Sequence, residues 1–356
     1  MERLTELLKE LILIDSSTKA GANKAIEYCN QWLKEQGLPA EMLENNGYRM
    51  IVCEIGEGDK TVVLNGHVDV VSGHEEQFVP VEEDGRLYAR GAADMKAGVA
   101  AMMYAAAKLK DEPLGVKLQL QIVSDEEIGG FNCSGYLVEN GYTGDFVICA
   151  EPTTLGIALQ AKGSLRLDIE VAGKPAHGSR PWEGVNAIEK AYEVYGEILK
   201  LPFTRVSSEF YKAPSVNLAK INGGDAYNKV PETCTLFFDI RYLPGQTADE
   251  IIQQIEDAAD GKVLVNMVGR PVETKREDPF VQALQPVVEE HISKEAVFFG
   301  QHGAADTSFF SKKGIPAIEF GPSGINWHGN EENVVLDSLY TYKDILIDFI
   351  KGFDSK

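Results

Sequence analysis

Cysteine is scarce and scattered: the 356-residue chain has five, at Cys29, Cys53, Cys133, Cys149 and Cys234, with no CxxC pair among them. An odd number at such spacings supports neither a disulfide framework nor a thiolate metal site, and a reducing cytoplasm is the expected home. Positive charge is short as well. The formal net charge is -21, and no cluster of Lys and Arg stands against it, so phosphate backbones and anionic lipid surfaces would be repelled. Nucleic-acid and membrane partners are therefore not expected. No apolar run reaches the length needed to span a bilayer, and the N-terminus lacks the basic start and long apolar core of a signal peptide. Internal repeats and low-complexity tracts are missing too.

What is present is enough apolar sequence, 44% of the chain, to bury a sizeable core and to fill two domains. Leu4, Leu7, Leu8 and Leu11 have the spacing of an amphipathic helix, and Ala25, Ile26, Cys29, Trp32 and Leu33 that of a second, which Gly37 is placed to end. Apolar runs at 61–64, 116–123 and 146–149 read as buried strands, and an alanine-rich helix at about 95–108 separates the first from the second. Strand, helix and strand alternating in this way predict an α/β catalytic core. From about 164 the texture changes to alternating strands and two amphipathic helices, an α+β pattern of its own. It is expected to form an inserted lid domain over 164–275, with residues 1–163 and 276–356 making the catalytic domain.

Each of the three early strands runs into a group able to bind a divalent cation, and open α/β sheets place their sites at strand ends. In LNGHVDVV, Asp69 lies two residues from His67 and is placed to hold its imidazole in the ligating tautomer. In RGAADMKAG, Asp94 stands at the mouth of the alanine-rich helix, where taken alone it reads as a cap on free backbone amides. In SDEEIGG the adjacent Glu126 and Glu127 point in different directions, so one can bind metal while the other faces water; two neighbouring acids are otherwise solvated surface. Glu151 follows the third strand in CAEPT, and His328 sits between glycines in GINWHGNEE. Two cations roughly 3.5 to 4 Å apart need one shared carboxylate, with an imidazole and a carboxylate for each. His67, Asp94, Glu127, Glu151 and His328 supply that set.

The ordered motifs GHVDVV, ARGAADMKAG, DEEIGG, AEPT and GINWHGNEE resemble those of the M20 family of metallopeptidases and deacylases, over essentially the whole chain. The resemblance implies a zinc-peptidase-like catalytic domain, a mixed sheet flanked by helices, with an α+β lid through which the chain would form a homodimer. It implies that Asp94 bridges the metals, with Glu127 and His328 completing one site and His67 and Glu151 the other. Glu126 would be the general base, Asp69 the partner of His67, and the bond from Asp94 to Met95 cis. The chain departs from the family's DMKGG at Ala97.

The resemblance also places His177 where the lid donates to an oxyanion, Asn228 and Arg241 where a substrate carboxylate is held, and Gly303 in a glycine-rich loop near the substrate. An alternative for Arg241 is a salt bridge to Asp239. Around Gly303 and Asp306 the sequence differs from the family's GGTDA pattern, and His302 is unexpected there. Glu332 would orient the His328 loop, contact substrate or cap a helix; His74 and His291 read as ordinary polar residues. Mixed imidazole and carboxylate donors suit zinc best, with cobalt or manganese acceptable. The expected reaction is removal of an N-acyl group from a small amino acid, of the acetylornithine or succinyl-diaminopimelate type. The alternatives are dipeptidase or carboxypeptidase action on a peptide and, in another class, a non-catalytic metal-binding homologue.

Overall fold

The computed structural model describes residues 2–303 and 305–353. The chain folds as two compact units, one of Met1–Leu159, Glu273–Phe299 and Ala305–Lys356, the other of Gln160–Val272 and Gly300–Ala304.

The first unit is built on a mixed sheet, nine-stranded among the described residues. Its order is Ala40–Asn45, Tyr48–Ile55, Lys117–Val123, Thr61–His67, Phe146–Cys149, Ala317–Glu319, Ile157–Ala161 and Val272–Glu273, with Phe298–Gln301 paired beside Ile157–Ala161. The four strands from Lys117–Val123 to Ala317–Glu319 run parallel. Thr61–His67 and Lys117–Val123 are buried beyond their first residue and Phe146–Cys149 throughout, as expected of parallel strands covered on both faces. Their carboxyl ends lie together at one edge of the sheet, and there His67 and the segments carrying Glu126, Glu127 and Glu151 emerge.

Apolar faces set the helices around this sheet. Leu4, Leu7, Leu8 and Leu11 of Glu2–Ile12 are buried, and Lys19–Glu35 starts at Thr18, whose hydroxyl accepts from the Gly21 amide at 3.2 Å. Gly37, at φ +77°, turns the chain away after that helix. The alanine-rich helix Lys96–Leu109 is buried on nearly every side and packs against the first helix and the C-terminal helix Leu336–Gly352. A separate, small sheet joins Gly324–Ile325, Asn333–Val335, Arg86–Tyr88 and Val81–Glu83. Its Tyr88–Asn333 pairing brings the segment after residue 88 beside the segment before residue 333.

The second unit is a four-stranded antiparallel sheet, Ser215–Gly223, Thr233–Tyr242, Gly163–Ala172 and Lys262–Gly269. Leu165, Leu167, Ile169 and Val171 alternate onto one face and pack with Ala187, Ala191, Val194 and Ile198 of one helix and Ile251 and Ile255 of another. The edge strand Ser215–Gly223 is largely exposed.

Candidate metal centre

Two triads of potential ligand atoms share Asp94. His67, Asp94 and Glu151 form one and Asp94, Glu127 and His328 the other, each with its ligand atoms within 4.8 Å of one another. The shared carboxylate divides its oxygens: Oδ1 is 3.2 Å from His67 Nε2, and Oδ2 is 3.3 Å from His328 Nε2. Glu151 Oε1 is 3.7 Å from His67 Nε2, and Glu127 Oε1 is 3.3 Å from His328 Nε2. Glu126, in neither triad, brings Oε2 to 3.9 Å from His67 Nε2.

The local sequence explains how each side chain arrives there. His67 is the last residue of its strand, and its Nδ1 lies 2.8 Å from the backbone oxygen of Asp69. The contact expected from the Asp69 carboxylate is thus made by its carbonyl, with the nearer carboxylate oxygen at 3.6 Å. That carboxylate instead accepts from the amides of Glu126 at 3.3 Å and Glu127 at 3.0 Å, fixing the short 3-10 turn on which both acids sit. Asp125, fully buried, braces the same loop by accepting from the amides of Asn132 at 2.7 Å and Cys133 at 3.2 Å. The Asp94–Met95 peptide is cis. Asp94 does not cap the helix: Met95 occupies the cap position with no side-chain bond, and the carboxylate turns to the two imidazoles.

So many acids at one place carry a cost that shows in their ionisation. Burial pushes Glu126 and Glu127 above the usual carboxylate range against the pull of His67. Burial, with the Asp94 charge, does the same to Glu151. Burial would lower His67, but the hydrogen bond to Asp94 and the surrounding carboxylates outweigh it and hold the imidazole well above its ordinary value. Asp94 is likewise pushed up by burial yet ends below its usual range, because both imidazoles bond to it. Oε1 of Glu127 is buried with no hydrogen-bond partner. A buried carboxylate oxygen left unsatisfied amid hard and borderline donors fits a divalent cation.

Of the residues packed around this centre, Arg90 and Lys96 had no role readable from the sequence, while Glu332 and Asp306 had only open ones. Lys96 is fully buried and donates to the carbonyls of Leu11 at 3.0 Å and Ile14 at 2.9 Å. Arg90 and Glu332 form a buried pair beside Asp94. Asp306 is buried and accepts from Ser134 Oγ at 2.5 Å; burial pushes it up to about 7 despite that bond. Charged residues inside otherwise small and apolar stretches, as Arg90 and Lys96 are, were the available clue.

The other expected site residues belong to the second unit. His177 is exposed, and its Nδ1 accepts from the Ser179 amide at 3.1 Å. Its neighbour Gly178 donates to the Asn228 carbonyl at 2.8 Å. Arg241 makes two bonds to Asp239, Nε to Oδ1 at 2.7 Å and Nη2 to Oδ2 at 3.2 Å, so here the guanidinium is engaged within its own strand. Gly303 is exposed, and the adjacent His302 ring meets Tyr211 edge-on at 5.7 Å. In the first unit, His74 precedes a short 3-10 turn and His291 is hydrogen-bonded to Asp348 at 2.8 Å.

Residues 63–352 match the profile of the peptidase family M20/M25/M40. The chain belongs to that family. It is a metal-dependent hydrolase acting on amide or peptide bonds. It is 29% identical to an acetylornithine deacetylase of Vibrio atlanticus (strain LGP32), over 98% of this chain and 98% of that one. It is 28% identical to a probable succinyl-diaminopimelate desuccinylase of Staphylococcus aureus (strain MRSA252), over 96% and 95%. The crystal structure of the aminopeptidase PepT from Bacillus cereus ATCC 10987 shares its fold, with a TM-score of 0.86 at 22% identity over 98% of each chain. The M20 hydrolase has no helix, among the described residues, long and apolar enough to cross a membrane.

Proposed function

We propose that this M20 hydrolase is a two-metal deacylase that removes an N-acyl group from a small amino acid, with His67 and Glu151 holding one cation, Glu127 and His328 the other, and Asp94 bridging. The observation that carries the reading is the division of Asp94, one oxygen toward each imidazole. Two divalent cations there would polarise the scissile carbonyl and make an attacking water acidic near neutral pH. Zinc suits these mixed donors best, and cobalt or manganese would serve.

The chain's own groups do the rest. Glu126 belongs to neither triad and brings its Oε2 to 3.9 Å from His67 Nε2. It takes the proton of the attacking water and returns it to the departing amine. His177 donates to the developing oxyanion: its Nδ1 accepts from Ser179, so the neutral ring carries its proton on Nε2. Asn228, Arg241 and Gly303 hold the carboxylate end of the substrate, Arg241 by exchanging Asp239 for that carboxylate, a bidentate partner of the same shape.

Deacylation is favoured over peptide cleavage because the relatives aligned over nearly their full length carry deacylase names, whereas the peptidase likeness is one of fold. A homodimer through the second unit is supported by its exposed Trp182, Ile188, Tyr192 and Ile221. A reducing cytoplasm suits five buried free thiols. The deciding experiment is a panel of N-acetyl, N-succinyl and dipeptide substrates, run with zinc, cobalt and manganese after chelation. Turnover of the N-acyl amino acids supports the assignment, and activity confined to dipeptides overturns it.

A further inference from the structure

His328 is the least buried of the five candidate ligands. Its side chain is 53% exposed, and it sits at φ +60° in a loop whose Asn326 also has positive φ. Something must fix that loop if His328 Nε2 is to stay 3.3 Å from both Asp94 and Glu127. The fixing groups are two buried charges with no place in either triad. Glu332 Oε1 accepts from two successive amides, Ala93 and Asp94, at 3.0 Å each. Its Oε2 accepts from Arg90 Nη1 at 2.7 Å, and Arg90 Nη2 donates to the backbone carbonyl of His328 at 3.2 Å.

The small sheet delivers both partners. Tyr88 pairs with Asn333, and the Ala89 amide donates to the Glu332 carbonyl at 3.0 Å, so the 90–94 and 328–332 segments leave the same sheet edge side by side. Gln77 adds a second tether, Nε2 donating to the Gly329 carbonyl at 3.2 Å.

We propose that Arg90 and Glu332 are positioning residues that lock the backbone of Asp94 to the backbone of His328, and so set the affinity of the Asp94–Glu127–His328 triad for its cation. His67 and Glu151 hang on the main sheet and feel the tether only through Asp94. The proposal rests on the two-metal reading above, and its consequence is asymmetric: loss of the tether weakens one site and spares the other. Partners that orient metal ligands from behind are typically worth about 10- to 100-fold in affinity.

The test is Zn2+ titration of the metal-free full-length protein against a chromophoric chelator, with no substrate present. The native protein should bind two equivalents. Glu332→Gln keeps an acceptor for the Ala93 and Asp94 amides but removes the charge facing Arg90. Arg90→Lys keeps the charge but cannot reach Glu332 and the His328 carbonyl together, and it guards against a Glu332 variant that fails to fold. Both should lose about 10- to 100-fold at one step, the step that His328→Ala abolishes, and leave near its native value the step that His67→Ala abolishes. Equal weakening of both steps, or unchanged affinities in the folded Arg90→Lys protein, overturns the tether. A native protein that fails to bind two equivalents overturns the two-metal reading instead.

Discussion

Gly98 stands against the carbonyl of Ala150: a Cβ at position 98 would lie 2.2 Å from that oxygen. The contact presses the helix that follows Asp94 onto the strand end that precedes Glu151, so two ligand-bearing segments meet with no room for a methyl group. The family pattern DMKGG has glycine at both positions, and here only the second remains. Gly98→Ala should force the helix away and cost about 1–3 kcal/mol, while Ala97→Gly should cost about 1 kcal/mol or less. Urea unfolding of the two variants decides it. Native stability in Gly98→Ala would mean that this packing is loose.

How much of this was legible beforehand depended on whether the information was local. Buried parallel strands read plainly because continuous apolar runs need no partner to be recognised, and Phe146–Cys149 lies where its run predicted. Four of the five ligands stood out, His67, Glu127 and Glu151 because each ends or follows a strand and His328 because it sits between glycines. Half of the tether did too, since Glu332 was expected near the His328 loop, but its partner Arg90 is 242 positions away and only the small sheet makes the two neighbours. Asp94 was misleading in isolation, because a carboxylate before a helix ordinarily caps it. The strand Lys262–Gly269 has no clean sequence signal, because a register shift between Val265 and Met267 breaks its alternation. The hairpin Ala40–Asn45 and Tyr48–Ile55 turns on Asn46-Gly47, both at positive φ, a two-residue signal that lies outside the apolar periodicity marking the other elements.

Glu126→Gln separates the proposed base from the ligands. Glutamine fits the same space and cannot take a proton, and neither triad uses position 126. The variant should keep both metal equivalents and lose about 10²- to 10⁴-fold in kcat. Metal analysis beside steady-state kinetics on the best substrate checks both halves. Native turnover would remove Glu126 from the reaction, and loss of metal would place it among the ligands.

Lys96 is the least expected buried charge in the core. Its ammonium satisfies two carbonyls near the end of the first helix, Leu11 and Ile14. Lys96→Met retains the length and relieves the burial of charge but strands both acceptors. Each stranded carbonyl costs about 1–3 kcal/mol and the relief offsets part of it, so a net loss of about 1–3 kcal/mol is expected. The change should appear first as faster amide exchange in residues 2–14, because the first helix loses its clasp. Unaltered exchange there would mean that Leu4, Leu7, Leu8 and Leu11 hold the helix without help.

Asp145 provides a pH test remote from the metal ligands. Burial pushes its carboxyl up, but Lys60 Nζ at 2.7 Å and the Thr61 amide at 2.8 Å outweigh burial and hold it below the usual range. A carboxyl lowered on folding stabilises the native state above its unfolded pKa of about 3.9, and that contribution disappears as pH falls through the lower folded value. Lys60 is raised by the same partner, so its share is present below about 10.4 and is lost as pH climbs through the folded value. Asp145→Asn keeps an acceptor for Thr61 and removes the charge. The variant should therefore melt slightly lower than the native protein at pH 7, and the gap between the two melting temperatures should narrow by pH 3. A gap that persists undiminished at pH 3 would assign the effect to the Thr61 hydrogen bond and the packing at the start of the central strand, not to the ion pair.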